Sequence, residues 1–329
     1  MWRAVGGAVA YVFIAVIIIP ALVVGGAFGP GLVSMGKATE SGPIIRVRHD
    51  PEGKVEVMAL EDYVKGVVAA EMPANFELEA LKAQAVVART LAVRRMRSFG
   101  GAGLTDDPRA DVSTDPAKGQ AWSSVTELRQ RWGAADFSAL WGKISQAVEA
   151  TEGLIITYND LPIDAQFHST SAGPTENSED VWSEKIQYLR SVPCDWDQES
   201  PHYSSTVRLA LTDVAAKLPG TGQLAAPTAT SKTKPIEVLE RTAAGRVKTV
   251  RVGSKTVRGI DFRLALGLKS ANFTVAFQGS EAVFQVKGYG HGVGLCQYGA
   301  NGLAKLGRSY DGIIKYYYTG VAIQKLSGH

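Results

Sequence analysis

Residues 60–95 read "LEDYVKGVVAAEMPANFELEALKAQAVVARTLAVRR", and this stretch decides the fold. Apolar residues recur from Leu60 at helical spacing, and Pro73 stops the run because its ring cannot continue a regular helix. A second helix follows over residues 75–99, rich in Ala and Leu, with basic residues in its last turn and "GGAG" behind it. Glu71 then falls in the last turn of the first helix, where the partial negative charge of the helix end disfavours ionisation. Burial among Val67, Val68, Ala69 and Ala70 acts in the same direction, and both effects suit a general acid. The plain alternative is an exposed helix-terminal glutamate. Lys82 and Arg89 are seven residues apart on one helical face with Ala85 between them, so they could receive an anionic group or hold a sugar polymer. A solvated basic stripe is the alternative.

Working outward, "IIRVRH" (44–49) alternates as a strand, "DPEG" turns the chain, and "KVEVMAL" (54–60) returns it. Residues 100–121 are polar and rich in Gly, Asp and Pro, hence a loop excursion. A short helix, a strand, an Asn-Asp turn and another strand are expected over 145–173. Residues 197–235 are polar and form an insertion or subdomain boundary. Two strands joined at Ala-Gly follow, then a short helix at "IDFRLALG", a hairpin over 272–288, a glycine-dense stretch, and a last helix ending in "KYYYTG". No repeat of 20 to 50 residues is present. The fold class is α+β, with mostly antiparallel strands and a catalytic helix pair.

The bulk numbers exclude some functions. A net charge of +3 without a basic stripe interleaved with aromatics does not fit a nucleic-acid partner. Two cysteines, Cys194 and Cys296, make neither a disulfide framework nor a CxxC clamp; one bridge or two free thiols are both open. Between Arg3 and Lys37 no charged residue occurs. An apolar stretch of that length predicts an N-terminal transmembrane helix within residues 1–36, an uncleaved membrane anchor, with residues 37–329 as the body. Arg3 favours a cytoplasmic N-terminus and an extracytoplasmic body.

Two more stretches carry polar chemistry. "QFHSTSAGPTENSEDVW" puts His168 at a strand end beside Ser169, Thr170 and Ser171, followed by Glu176, Glu179 and Asp180. Adjacent His and Ser side chains point to opposite faces of a strand, which argues against a nucleophilic dyad. "GYGHGVGLCQYGANGLA" allows positive φ and close approach of a ligand, and presents His291, Cys296, Gln297 and Tyr298. Its spacing is not the dinucleotide fingerprint. A carbohydrate groove with Gln and Tyr donors fits better, with a packed glycine hairpin as the alternative. Of Tyr316, Tyr317 and Tyr318, at least one is expected in the core.

Taken in order, "VVAAEMPANFELEALKAQAVVARTLAV", "FHSTSAGPTENSEDVW", "YLRSVPC", "GRVKTVRVGSKTVRGIDFRLALGL" and "GYGHGVGLCQYGANGLAKLGRSYDGIIKYYYTG" closely resemble the stage II sporulation protein D family, over residues 44–320. The resemblance implies a membrane-anchored lytic transglycosylase that cuts peptidoglycan glycan strands during engulfment in sporulation. It would sit in the mother-cell membrane facing the intermembrane space. The implied partners are stage II sporulation proteins P and M, the former an amidase that leaves denuded glycan. By motif position the resemblance puts the catalytic glutamate on Glu71 and functional cations on Lys82 and Arg89. It puts further site residues on Cys296, Gln297, Tyr298, Tyr318 and Tyr188. Cys296 stands where the family usually has serine. Some relatives bind zinc through cysteines in the excursion; here Ser113 and Gly119 lie in that region, so no metal and no cofactor is expected. Glu71 would protonate the bond between N-acetylmuramic acid and N-acetylglucosamine, then accept the muramoyl 6-hydroxyl proton as the 1,6-anhydro ring closes. A hydrolase would want a second carboxylate, with Glu176, Glu179 or Asp180 as candidates. A non-catalytic glycan-binding activator of an amidase is the other alternative.

Overall fold

The computed structural model describes residues 42–228 and 233–326. Strands β1 (Ile44–His49) and β2 (Lys54–Ala59) form the expected antiparallel hairpin, and β3 (Val112–Ser113) joins β1 in parallel. Helix α1 (Leu60–Glu71) buries Tyr63, Val64, Val67 and Val68 and ends before Pro73, with the Met72 N–H still bonded to the Val68 carbonyl. Helix α2 (Leu78–Arg95) is buried on nearly every side. A helix in that position needs small apolar residues all round rather than one stripe, and its alanines also favour the helix intrinsically. It packs against α1, against α3 (Val125–Glu149), α7 (Gln297–Lys305) and α8 (Tyr310–Tyr317), and against strand β4 (Leu154–Tyr158). Each fully buried Leu or Val there contributes about 1.5–3 kcal/mol.

Helix α3 extends far N-terminal of the short helix expected near residue 145. Its start is a capping box: the Ser124 hydroxyl accepts from the Glu127 N–H at 3.2 Å, and the Glu127 carboxylate accepts from the Ser124 N–H at 2.7 Å. Gly133, at φ 76°, breaks the helix. Strand β4 pairs with β5 (Leu161–Pro162) and with β14 (Ala322–Lys325), and β6 (Phe167–His168) pairs in parallel with β13 (Leu295–Cys296). A five-residue helix, α4 (Ser178–Trp182), lies between β6 and β7.

A second core begins after Tyr203. Strand β7 (Ser204–Ala210) and helix α5 (Leu211–Lys217) occupy part of the polar stretch 197–235. Strands β8 (Ile236–Arg241), β9 (Val247–Val252) and β10 (Lys255–Arg258) form one antiparallel sheet, where two strands were expected. Helix α6 (Gly259–Leu266) and the hairpin β11 (Phe273–Gln278) and β12 (Glu281–Lys287) complete the unit, with β12 between β11 and β7. Phe262, Phe273 and Phe284 pack together at its centre, one pair stacked and two edge-on, with centroids 5.2–5.8 Å apart.

The architecture is therefore α+β with mostly antiparallel sheets, and one element of the expected fold class is corrected. Among the described residues no helix is long and apolar enough to cross a membrane. The transmembrane helix expected within 1–36 lies outside the described residues.

Candidate active site

Glu71 ends α1 half-buried, at a wall shared by two clefts of about 440 and 400 Å³. Its Oε1 accepts the Ala121 N–H at 2.7 Å. That amide is held in place by its neighbours. The Gln120 carboxamide donates to the Ala88 carbonyl at 3.2 Å, and the Ser123 N–H donates to the Gly66 carbonyl at 3.3 Å. Trp122 packs so closely against Gly66 that a Cβ there would stand 2.2 Å from the indole nitrogen. Burial pushes the Glu71 carboxyl above the ordinary glutamate range, and the Ala121 amide opposes this with the smaller effect.

The link between α1 and α2 carries the helix pair to the glycine-dense stretch. Phe76 meets the Tyr298 ring edge-on at 4.9 Å, and the Glu77 N–H donates to the Asn301 carboxamide oxygen at 2.8 Å. The Tyr298 N–H donates in turn to the Ser169 carbonyl at 3.1 Å. Gln297 and Tyr298 consequently line the second cleft together with Glu71, His168, Ser169 and His202. Gly290 (φ 111°) must be glycine, because a Cβ would stand 2.7 Å from the His168 Cβ. At Gly294 (φ 72°) a Cβ would stand 2.0 Å from the Gln166 carbonyl oxygen.

Other residues expected at the site are placed elsewhere. Arg89 is fully buried, and its guanidinium holds both Glu61 carboxylate oxygens at 2.8 and 2.5 Å and the Leu154 and Val148 carbonyls at 3.1 and 3.3 Å. Its donors are used inside the protein, and it lines neither cleft. Lys82 pairs with Glu79 at 2.7 Å and sits 6.0 Å over the Tyr310 ring, lining neither cleft. The small residue between them marks tight helix packing rather than an open face. Tyr318 is buried, its hydroxyl donating to the Gln166 carbonyl at 2.8 Å. Tyr188 accepts the Asp164 N–H at 2.9 Å and packs on Tyr158, so it supports the cleft residue Asp164 without lining the cleft. Cys296 is buried at the start of α7 and lines neither cleft.

The candidate second carboxylates are engaged elsewhere too. Glu176 is buried against Arg246 and Thr242, Glu179 pairs with Arg190, and Asp180 accepts from Asn177. None lines either cleft. Two aspartates do line the first: Asp111, saturated by Arg46 and Arg97, and Asp164, which accepts from the Gln166 amide at 2.8 Å.

Sequence reasoning missed Arg95, Tyr289 and Gly290 as cleft residues, and named His291 only as one polar group of the glycine-dense stretch. Arg95, in the last turn of α2, lines the first cleft where Lys82 and Arg89 do not. Tyr289 and Gly290 line both clefts, and His291 lines the first. The His291 Nδ1 accepts the Val293 N–H at 3.1 Å, and burial pushes its pKa down to about 3, so it is a neutral Nε2–H donor. Burial likewise holds His168 well below its usual range, its Nε2 paired with the Ser171 hydroxyl at 2.6 Å rather than with the adjacent Ser169. The glycines around His291 were the available signal, since a histidine held in so tight a loop has few rotamers left.

Comparison with known proteins places these features in a family. The family model described as "Stage II sporulation protein" matches residues 49–158, which contain both helices and the Ala121 loop. Stage II sporulation protein D of Bacillus subtilis (strain 168) is 42% identical over 271 residues, 82% of this chain and 76% of the relative. The protein of the same name from Bacillus amyloliquefaciens is 40% identical over 287 residues, 87% of this chain and 80% of the relative. A protein named amidase enhancer, also from Bacillus subtilis (strain 168), is 28% identical over 310 residues; the match covers 79% of this chain but 40% of that one.

Proposed function

The chain belongs to the stage II sporulation protein D family, and we propose that it is a lytic transglycosylase acting on peptidoglycan glycan strands, with Glu71 as general acid and then general base. The observation that carries this reading is a single half-buried carboxylate, raised by desolvation, at the junction of two clefts. Among the described residues lining the second cleft it is the only carboxylate. Protonated Glu71 gives its proton to the oxygen leaving C1 of N-acetylmuramic acid. The resulting carboxylate removes the proton of the muramoyl 6-hydroxyl as that oxygen closes on C1, so the bond is cut without water. One carboxylate suffices because the sugar supplies the nucleophile, whereas hydrolysis commonly uses a pair.

The other cleft groups have parts in this scheme. Gln297 and Tyr298 donate to sugar hydroxyls and N-acetyl carbonyls, and the Tyr289 ring, 41% exposed, offers a stacking face. Arg95 receives the lactyl carboxylate that muramic acid bears once its stem peptide has been removed. A partner amidase, the stage II sporulation protein P of the family, would supply that denuded strand outside the cytoplasm.

The test is to digest purified denuded glycan with the full chain and read the new ends by mass spectrometry. Anhydro-muramoyl ends are expected. Reducing ends would move the assignment to hydrolysis, with Asp164 as the carboxylate to replace next. No cleavage, together with stimulation of a partner amidase that survives Glu71→Gln, would instead favour a glycan-binding activator, the role that the relative's name suggests.

A further inference from the structure

Two thiols and a carboxylate from distant parts of the sequence meet in the interior, and the reaction proposed above uses none of them. Cys194 and Asp197 lie between α4 and β7; Cys296 ends β13 and is the N-cap residue of α7. All three are buried, both cysteines are free thiols, and their ligand atoms lie within 4.8 Å of one another. The Cys296 sulfur is 3.4 Å from Asp197 Oδ2, and the Cys194 sulfur is 3.3 Å from the Tyr317 hydroxyl. Asp197 Oδ2 also accepts the N–H groups of Ser171 and Ala172 at 2.7 and 2.8 Å. Its other oxygen, Oδ1, is buried with no hydrogen-bond partner. A carboxylate oxygen left unpartnered inside a protein is costly, and a bound cation would offset that cost.

We propose that Cys194, Asp197 and Cys296 bind a structural zinc ion, with the Tyr317 hydroxyl at the fourth position. Two sulfurs with one carboxylate suit a borderline-soft ion that accepts tetrahedral geometry, and they disfavour magnesium or calcium. Zinc–sulfur bonds of about 2.3 Å and zinc–oxygen bonds of about 2.0 Å put tetrahedral donors within about 4 Å of each other. The three ligand atoms, within 4.8 Å of one another, already stand near that spacing. The Cys296 sulfur accepts the Gly299 N–H at 3.3 Å in the first turn of the nine-residue α7; burial pushes this thiol well above its ordinary range, the amide opposes this with a smaller effect, and a bound cation would favour the thiolate. Binding takes one proton from each thiol and none from the carboxylate. The site then carries one net negative charge, faced by the N–H groups of Gly299, Ser171 and Ala172. Because two protons leave, zinc binds more tightly as pH rises. Residue 299 must stay small, since a Cβ there would stand 2.5 Å from the Cys194 sulfur. A disulfide between the cysteines is the competing outcome, but it removes both sulfur donors and leaves Asp197 Oδ1 as unpartnered as before.

The experiment uses the full chain, produced with zinc present and dialysed into metal-free buffer. Metal is measured by mass spectrometry, and thiols are titrated after denaturation without reductant. One zinc per chain and two titratable thiols are expected, with at least a tenfold loss of zinc affinity in Cys194→Ser, Cys296→Ser and Asp197→Asn. Cobalt exchanged into the wild-type protein should show sulfur-to-metal charge-transfer absorption, which reads the ligands even if a variant folds poorly. No retained zinc, no free thiol in the denatured wild type, a cobalt spectrum without that absorption, or equal zinc in the double serine variant would each overturn the proposal.

Discussion

Replacing Arg89 separates a glycan-binding cation from an internal one. Arg89→Gln leaves the Glu61 carboxylate, 24% exposed in the wild-type structure, without its two guanidinium bonds. It also leaves the Leu154 and Val148 carbonyls without their donor. Breaking one side of a buried ion pair costs about 3–5 kcal/mol. At about 2–3 °C per kcal/mol for a domain of this size, the melting temperature should fall by about 6–15 °C. Arg89→Lys should recover little, because an ammonium cannot hold both carboxylate oxygens and two carbonyls at once. Removing both charges in Glu61→Gln/Arg89→Met should cost less than Arg89→Gln alone, since neither charge is then stranded. Thermal unfolding supplies the stability, and glycan affinity per folded molecule, measured well below the lowered melting temperature, supplies the function. An Arg89→Gln protein that melts within about 2 °C of wild type yet loses glycan affinity at least tenfold would refute the internal role.

Glu71→Gln should retain glycan binding while losing about 10²–10⁴ in kcat, the usual worth of a positioned proton donor, read as anhydro ends formed per unit time. Burial raises the folded-state pKa of Glu71, so the required acid form persists above the ordinary glutamate range and is lost as pH rises through the folded value. The alkaline limb of kcat/KM should therefore lie above that range and vanish in the variant. The stability linkage has the same sign: the folded state holds this proton more tightly, its contribution falls as pH rises through the folded pKa, and Glu71→Gln should match or exceed wild-type stability at pH 8. Arg95→Ala should raise KM for denuded strands about tenfold with little change in kcat, whereas Lys82→Ala should leave both within about twofold. Gly66→Ala drives a methyl into the Trp122 indole; tryptophan fluorescence should shift, and activity should fall as the Ala121 amide leaves Glu71.

Local rules carried the reading of β1, β2, α1 and α2, because Pro73, the turn at 50–53 and the apolar spacing are each written within a few residues. Glu71 could be suspected for the same reason, since its helix end and apolar neighbours are adjacent in sequence. The start of α3 was also available in principle: Ser124 and Glu127 are a capping box at the required spacing. Arg89 was not. That its face is buried depends on α3, β4 and Glu61 closing over it, and Ala85 reads equally well as an open shelf or as a close contact. The burial of Tyr318 and Cys296 away from both clefts was illegible for a similar reason, because a motif position fixes a place along the chain and not the direction of the side chain. Arg95 and Lys82 share a helix and a charge, and only the position of the 110–120 loop decides which of them borders a cleft. The Asp197 cluster joins residues about a hundred positions apart, beyond any local pattern.

The second core has a topological consequence. It begins at Ser204 and finishes at Lys287, which are paired partners in register, and the Gly288 N–H closes on the Tyr203 carbonyl at 3.0 Å. Its entrance and exit thus lie side by side, so the 84 residues from Ser204 through Lys287 are a detour that returns the chain to where it left. Such a cassette can lengthen, shorten or be cut open at a loop tip while the path through Glu71, Phe76 and Tyr298 stays the same. Length variation among relatives has room to accumulate there without redrawing the clefts, and a permuted chain with new ends at Gly279 and Ser280 should still assemble them.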